Sequence, residues 1–158
     1  MATPDFVLRL REKVGNDPLW LPGVRGVVFD AEDRVLLCQR ADNGRWTLIT
    51  GILEPGEHPA PGLIREILEE TGVFAETERI LAVGVIGPVT YPNGDVCDFL
   101  DIAFKCRYVS GEARVNDDES IAVGWFAVDN LPDISAGHRE TICLALDPGA
   151  AVAYQRND

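Results

Sequence analysis

Gly51-Ile52-Leu53-Glu54-Pro55-Gly56-Glu57 and, seven residues further on, Arg65-Glu66-Ile67-Leu68-Glu69-Glu70-Thr71-Gly72-Val73 form the stretch on which the reading of this chain turns. The second half predicts a helix from about Pro61 to Thr71, with Pro61 suited to its first turn and Gly72 ending it. At about 100° per residue, Glu66, Glu69 and Glu70 fall within one arc of roughly 100°, while Ile64, Ile67, Leu68 and Thr71 lie opposite. One face is built for a core and the other carries three carboxylates. That acidic face is poorly placed for helix stability. Glu66 and Glu70 are like charges at i,i+4, costing about 0.2–0.5 kcal/mol, and they sit near the negative end of the helix dipole. Arg65 offsets one charge at most. A multivalent cation would relieve both penalties, because carboxylates are the hard oxygen ligands that Mg²⁺ takes. A solvated glutamate-rich face is the other reading of the same residues.

The spacing Gly, five residues, Glu, seven residues, Arg-Glu-apolar-x-Glu-Glu-x-Gly-apolar resembles the signature of the Nudix hydrolases, with every fixed position present. Seven fixed residues at ~7% usage each match by chance about once in 10⁸ windows. The resemblance implies an α/β/α sandwich with a mixed β-sheet between helices. It also implies hydrolysis of a nucleoside diphosphate linked to another moiety: a nucleoside triphosphate, ADP-ribose or a sugar nucleotide. Carried onto this sequence, it makes Glu66 and Glu70 the main Mg²⁺ ligands, with Mn²⁺ as a substitute ion. Glu69 becomes a further or water-mediated ligand, and the Gly51 carbonyl supplies another oxygen. Glu57 would pair with Arg65 to hold loop to helix, and Gly72 closes the motif. The general base varies across the family; Glu119, in the acidic loop Asn116-Asp117-Asp118-Glu119-Ser120, is the candidate here, with Asp117 and Asp118 as rivals.

Two departures stand out. Family members usually read Leu-Pro-Gly-Gly where this chain has Leu48-Ile49-Thr50-Gly51, and Thr50 does not reach the positive-φ conformations open to glycine. Gly62 and Leu63 replace the usual alanines of the helix, and Gly62 weakens helix propensity. No carboxylate is lost, which favours catalysis over a non-catalytic nucleotide-sensing domain or a plain structural module.

Around this centre the chain reads as α+β. Thr3 as N-cap, Pro4 at N1 and Gly15 as terminator predict a short helical extension at about 3–15, preceding the core of a single domain spanning 1–158. Its outer face is a candidate homodimer contact. Val24–Phe29 and Val35–Arg40 predict a hairpin, Arg45–Thr50 a short strand, and Gly51–Pro61 a loop. Arg79–Thr90 and Val96–Val109 flank an Asn93-Gly94 turn. Ile121–Val128 predicts the last strand, Ser135–Leu146 a closing helix, and the segment from Asp147 a frayed tail. Arg40 and Arg45 flank the loop before the motif and are candidate phosphate contacts. Trp46 reads as core rather than base-stacking, Tyr91 and Asn93 as hairpin builders, and His58 and His138 as surface residues.

Composition narrows the partners. With 26 acidic residues against 14 basic ones the net charge is −12, which argues against general affinity for nucleic-acid backbones or anionic membranes. No apolar run approaches the ~20 residues of a membrane span, and the N-terminus lacks a signal-peptide pattern. Cys38, Cys97, Cys106 and Cys143 lack metal-site spacing and read as buried free thiols, consistent with the reducing cytoplasm.

Overall fold

The computed structural model describes residues 3–155. The elements in chain order are α1 (Asp5–Val14), β1 (Leu19–Phe29), β2 (Arg34–Arg40), β3 (Trp46–Thr47), β4 (Ile49–Ile52), α2 (Pro59–Thr71), β5 (Val73–Thr90), β6 (Val96–Gly111), β7 (Ser120–Ala127) and α3 (Ala136–Leu146). The sheet runs β3-β2-β1-β6-β5, with β4 added to β1 and β7 to β2. β1 and β6 are parallel and the other pairs antiparallel, so the sheet is mixed and the architecture is α+β.

Two apolar clusters occupy opposite sides of the sheet. On one, Leu63 and Ile67 of α2 pack with Val24, Val28, Leu36, Ile49 and Phe104. Gly26 lets α2 approach, since a Cβ there would lie 3.2 Å from a Leu63 methyl. On the other, Ile142 and Ala145 of α3 pack with Val27, Phe29, Leu37 and Leu48. A third cluster seats α1, whose Val7 meets Leu21, Ile52, Cys97 and Phe99. Arg11 ties the same helix to the Val96 carbonyl at 2.9 Å and to Asp95 at 3.3 Å.

Several boundaries differ from the expectations. β1 begins at Leu19 rather than Val24, because Leu19–Pro22 pair in parallel with Cys97–Leu100. β5 begins at Val73, directly after α2; its first residues alternate buried Val73 and Ala75 with exposed Phe74 and Glu76, a period-two pattern that the charges obscured. The expected strand at Arg45–Thr50 divides at Leu48, with β3 pairing β2 and β4 pairing β1. Gly51 and Ile52 therefore belong to a strand, and α2 starts at Pro59. Pro4, not Thr3, is the N-cap of α1, without a side-chain cap bond. Leu68 is exposed rather than core, and so is Cys143 among the four free thiols. The tail is not frayed through residue 155: Ala153 donates its N–H to the Leu81 carbonyl at 2.8 Å and accepts from Val83 at 2.9 Å. The last part of that expected tail, 156–158, lies outside the described residues.

Candidate active site

Arg65 sits at the centre of the motif. Its Nε and one terminal nitrogen donate to the two Glu57 oxygens, each at 2.9 Å. The other terminal nitrogen lies 3.1 Å from Glu66 and 3.0 Å from Glu69. The structure thus brings Glu57 and Arg65 together in a two-pronged pair that fastens the loop 53–58 to α2, and the guanidinium holds the Glu57 carboxyl below its usual range. Gly62 has a packing reason in this arrangement. A Cβ at that position would come within 2.8 Å of the Glu57 carboxyl carbon, so the residue that weakens the helix also admits its ion pair.

Glu66 and Glu70, one turn apart, point inward and are only 5% and 4% exposed. Burial is the main reason both carboxyls hold their protons more tightly than an ordinary glutamate. For Glu70 the charges of Glu66 and Asp117 add to it, and its value reaches about 7. Cys38 on β2 donates its thiol to Glu70 at 3.6 Å; burial, and then the Glu70 charge, push that thiol up to about 12, so it stays protonated. Glu69 points outward to Arg65 and is exposed. Among the described residues no three His, Cys, Asp or Glu side chains are drawn together around one point.

Gly51 meets this pair from the strand side. A Cβ there would fall 2.6 Å from a Glu66 carboxylate oxygen, so only glycine allows Glu66 its place. The requirement is one of space and not of dihedral angle. β4 runs in regular antiparallel register with β1, pairing Thr50 with Arg25 and Gly51 with Val24. Neither Thr50 nor Gly51 is among the residues at positive φ. The replacement of Pro-Gly by Ile49-Thr50 is therefore compatible with this strand, in which Ile49 is a fully buried core residue.

The acidic loop reaches Glu70 because Asn116 anchors it. The Asn116 amide donates to the Leu68 and Glu69 carbonyls, both at 3.1 Å, capping the C-terminal end of α2. Asp117 then accepts from the Glu119 and Ser120 N–H groups at 3.2 and 3.1 Å. Glu119 is half-buried and lines a cavity of about 450 Å³ together with Cys38, Arg40, Thr50 and Glu70. Asn116 was not anticipated; a lone Asn before an acidic run carries no sequence signal for a cap 47 residues away.

A second cavity, of about 510 Å³, shares Arg40, Thr50 and Tyr91 with the first. Trp46, Ile86, Val89, Phe99 and Ile134 give it apolar walls, and Arg45 also lines it. Arg40 is held by Asp42 in a two-pronged pair at 2.9 and 2.5 Å, while Arg45 is exposed and makes no ion pair among the described residues. Trp46 is half-buried, edge-on to Phe126, and serves core and cavity together. Tyr91 lines the cavity and also builds the turn through its backbone, donating to the Asp95 carbonyl at 2.9 Å, and Asn93 bonds Asp95 at 2.9 Å in the same turn. His58 is exposed, as read from the sequence. His138 is half-buried rather than a plain surface residue: it lines the cavity wall, and burial, with Arg25 and Arg40 nearby, lowers it to about 4.

Comparison with known proteins agrees with this geometry. The family model described as NUDIX domain matches residues 19–145. A MutT-like protein of Streptomyces ambofaciens is 34% identical over 122 residues, 77% of this chain and 73% of that protein. The NAD-capped RNA hydrolase NudC of Vibrio cholerae is 32% identical over 76% of this chain, which spans only 42% of that longer relative. The crystal structure of an ADP-ribose pyrophosphatase from Streptococcus suis superposes with a TM-score of 0.65 at 25% identity, covering 84% of this chain and 96% of that one. The chain belongs to the Nudix family and is a Nudix hydrolase. Members of that family act on small nucleotide-type substrates and generally use a divalent metal ion. No helix among the described residues is long and apolar enough to cross a membrane.

Proposed function

We propose that this protein is a Mg²⁺-dependent pyrophosphohydrolase that cleaves the anhydride of a nucleoside diphosphate derivative. The observation that carries this reading is a pair of buried carboxylates beside two adjoining cavities: Glu70 lines the smaller one, Glu66 packs against Gly51 of the larger one, and the larger has room for a nucleoside. The donor set fits the ion. Glu66 and Glu70 offer hard oxygens on adjacent turns, and the missing Cβ of Gly51 leaves the Glu66 carboxylate its space. Burial raises both carboxyls, a cost that a bound cation would offset. Glu66, Glu70 and the Gly51 carbonyl would hold Mg²⁺, and Glu69 would contribute on parting from Arg65. When bound, the ion supplies Lewis-acid polarisation of the pyrophosphate and lowers the pKa of a bound water.

The chain's own residues supply the rest. The Glu57–Arg65 pair fixes α2 against the loop and so orients Glu66. Arg40 and Arg45, at the rim, neutralise phosphate oxygens in a protein otherwise strongly acidic. Glu119, which lines the same cavity as Glu70, would take a proton from an attacking water as general base. The resemblance to an ADP-ribose pyrophosphatase favours a dinucleotide-like or sugar-linked adenosine diphosphate among the substrates.

The test is a mass-resolved product assay with nucleoside triphosphates, ADP-ribose, sugar nucleotides and dinucleoside polyphosphates, each with Mg²⁺ or with EDTA. Metal-dependent scission of a P–O–P link in one class is the expected result. Inertness across the panel, with Glu70→Gln indistinguishable from the parent protein, would overturn it.

A further inference from the structure

The floor of the larger cavity is built from groups the proposed hydrolysis does not use. Asp101 on β6 is 5% exposed and lines the cavity. One of its oxygens, Oδ2, takes the Arg25 guanidinium at 2.5 Å, and no hydrogen bond among the described residues engages Oδ1. Arg25 itself is buried, and its Nε has no hydrogen-bond partner among the described residues. His138 stands nearby at the third position of α3, with its N–H on the Ser135 N-cap at 3.3 Å.

The hydrogen bonds around Thr47 fix the state of that histidine. The Thr47 hydroxyl has one proton and donates it to the Leu48 carbonyl at 2.9 Å. Its oxygen also lies 3.3 Å from His138 Nδ1, and with the proton already spent it only accepts. With the Thr47 proton on the Leu48 carbonyl, Nδ1 is the donor of this contact, an arrangement that would leave Nε2 as an unprotonated acceptor. The imidazole stays neutral because burial, two arginines and the positive end of α3 all disfavour a second proton.

We propose that His138 Nε2 and Asp101 Oδ1 make the floor of this cavity acceptor-only, so that it selects nucleotides presenting a hydrogen-bond donor there. The inference rests on the reading of the cavity as the nucleotide site, and it names what that site prefers. Two parts of a nucleotide carry such donors, the exocyclic amine of a base and the hydroxyls of a ribose. A carbonyl in place of the amine, or a hydrogen in place of a hydroxyl, leaves the buried Asp101 and half-buried His138 acceptors without that donor; such mismatches discriminate by one to several orders of magnitude. Thr47 acts through His138 and is a positioning residue.

The experiment is calorimetric binding of AMP, IMP and 2′-dAMP to the whole protein in EDTA, which needs no turnover. Alongside it, ¹⁵N imidazole spectra of the two histidines at neutral pH read the tautomer directly. AMP binding at least about tenfold tighter than IMP identifies the amine as the donor; the same margin over 2′-dAMP identifies the sugar. Either result supports the inference, provided that His138→Leu removes most of the margin and Thr47→Val, near-isosteric on a strand, shrinks it while circular dichroism stays native. Equal affinities, no binding of any of the three, a margin untouched by both variants, or a proton on Nε2 would each overturn it. An inert product assay beside intact AMP discrimination would defeat the hydrolase reading and leave the floor standing. Robust hydrolysis with no discrimination would do the reverse.

Discussion

The cavity's two ends, on either side of Thr50, solve opposite electrostatic problems. At the α2 end two carboxylates are buried, which raises both; the Glu69 charge adds to Glu66, and the Glu66 and Asp117 charges add to Glu70. At the α3 end a carboxylate and a guanidinium cancel within the floor, and the histidine beside them is neutral. On the proposed function, a cation completes the first arrangement. The second is complete within the protein, apart from acceptors that face the cavity. A site for a charged phosphate and a site for a neutral nucleoside are expected to differ in this way.

The largest expected effect tests the charged end. Glu70→Gln should lower turnover by at least about 10³-fold, through loss of a metal ligand. The metal-free protein should at the same time melt at a higher temperature, because one of two repelling buried charges is gone. Near-normal turnover, or a lower melting temperature, would show that the α2 end is not under the strain ascribed to it. At the neutral end, Asp101→Asn should act in the opposite sense. It strands the buried Arg25 charge and should reduce unfolding free energy by about 3–5 kcal/mol in a urea titration. A loss below about 1 kcal/mol would mean that the floor is wetter than its burial indicates.

Acidity sharpens the contrast, since the two ends respond with opposite signs. Glu70 titrates near 7 in the folded protein against 4.5 ordinarily, so the metal-free folded state binds the proton better and gains stability as pH falls from about 7 to 4.5. His138 titrates near 4 against 6.5, so the folded state resists the proton and loses stability as pH falls from 6.5 to 4. Each contribution is on the order of 2–3 kcal/mol. In the parent protein they offset one another. His138→Leu should therefore become more stable on acidification from pH 7 to 5 in EDTA, and Glu70→Gln less stable. Parallel pH profiles for the two variants would break the comparison.

The same division explains what the amino-acid sequence disclosed. The α2 end is written locally: Glu57 and Arg65 are eight residues apart, Glu66 and Glu70 four, and Gly72 caps the helix with φ +70°. Spacing and periodicity suffice for such contacts. The α3 end is assembled from Arg25 with Asp101, 76 residues distant, and Thr47 with His138, 91 residues distant. Nothing in the neighbourhood of His138 distinguishes a cavity wall from a surface turn, so the sequence reading put it outside. Leu68 errs for a related reason. It lies at one edge of the apolar arc of α2 and stays exposed, while Ile67 and Thr71, nearer the centre of that arc, are fully buried. The strands show the boundary of local legibility too, because Val73–Glu78 carries its alternation beneath two glutamates, Glu76 and Glu78.

The smallest expected effect concerns the junction between the two ends, where the chain departs from its family at Ile49-Thr50. If the usual glycine served only to reach positive φ, Thr50→Gly would restore something lost. The structure argues otherwise. Thr50 lies in β4 opposite Arg25, without positive φ, and lines both cavities. Glycine there would add backbone freedom to the unfolded chain and remove a β-branched side chain from a strand. Thr50→Gly should thus cost about 0.5–1 kcal/mol and leave turnover within a few-fold of the parent. The space that matters is at Gly51, where even a methyl group would overlap the Glu66 carboxylate. A gain in turnover from Thr50→Gly would show that β4 must leave its regular register during catalysis, and the two ends would then be coupled through that strand rather than merely adjacent along it.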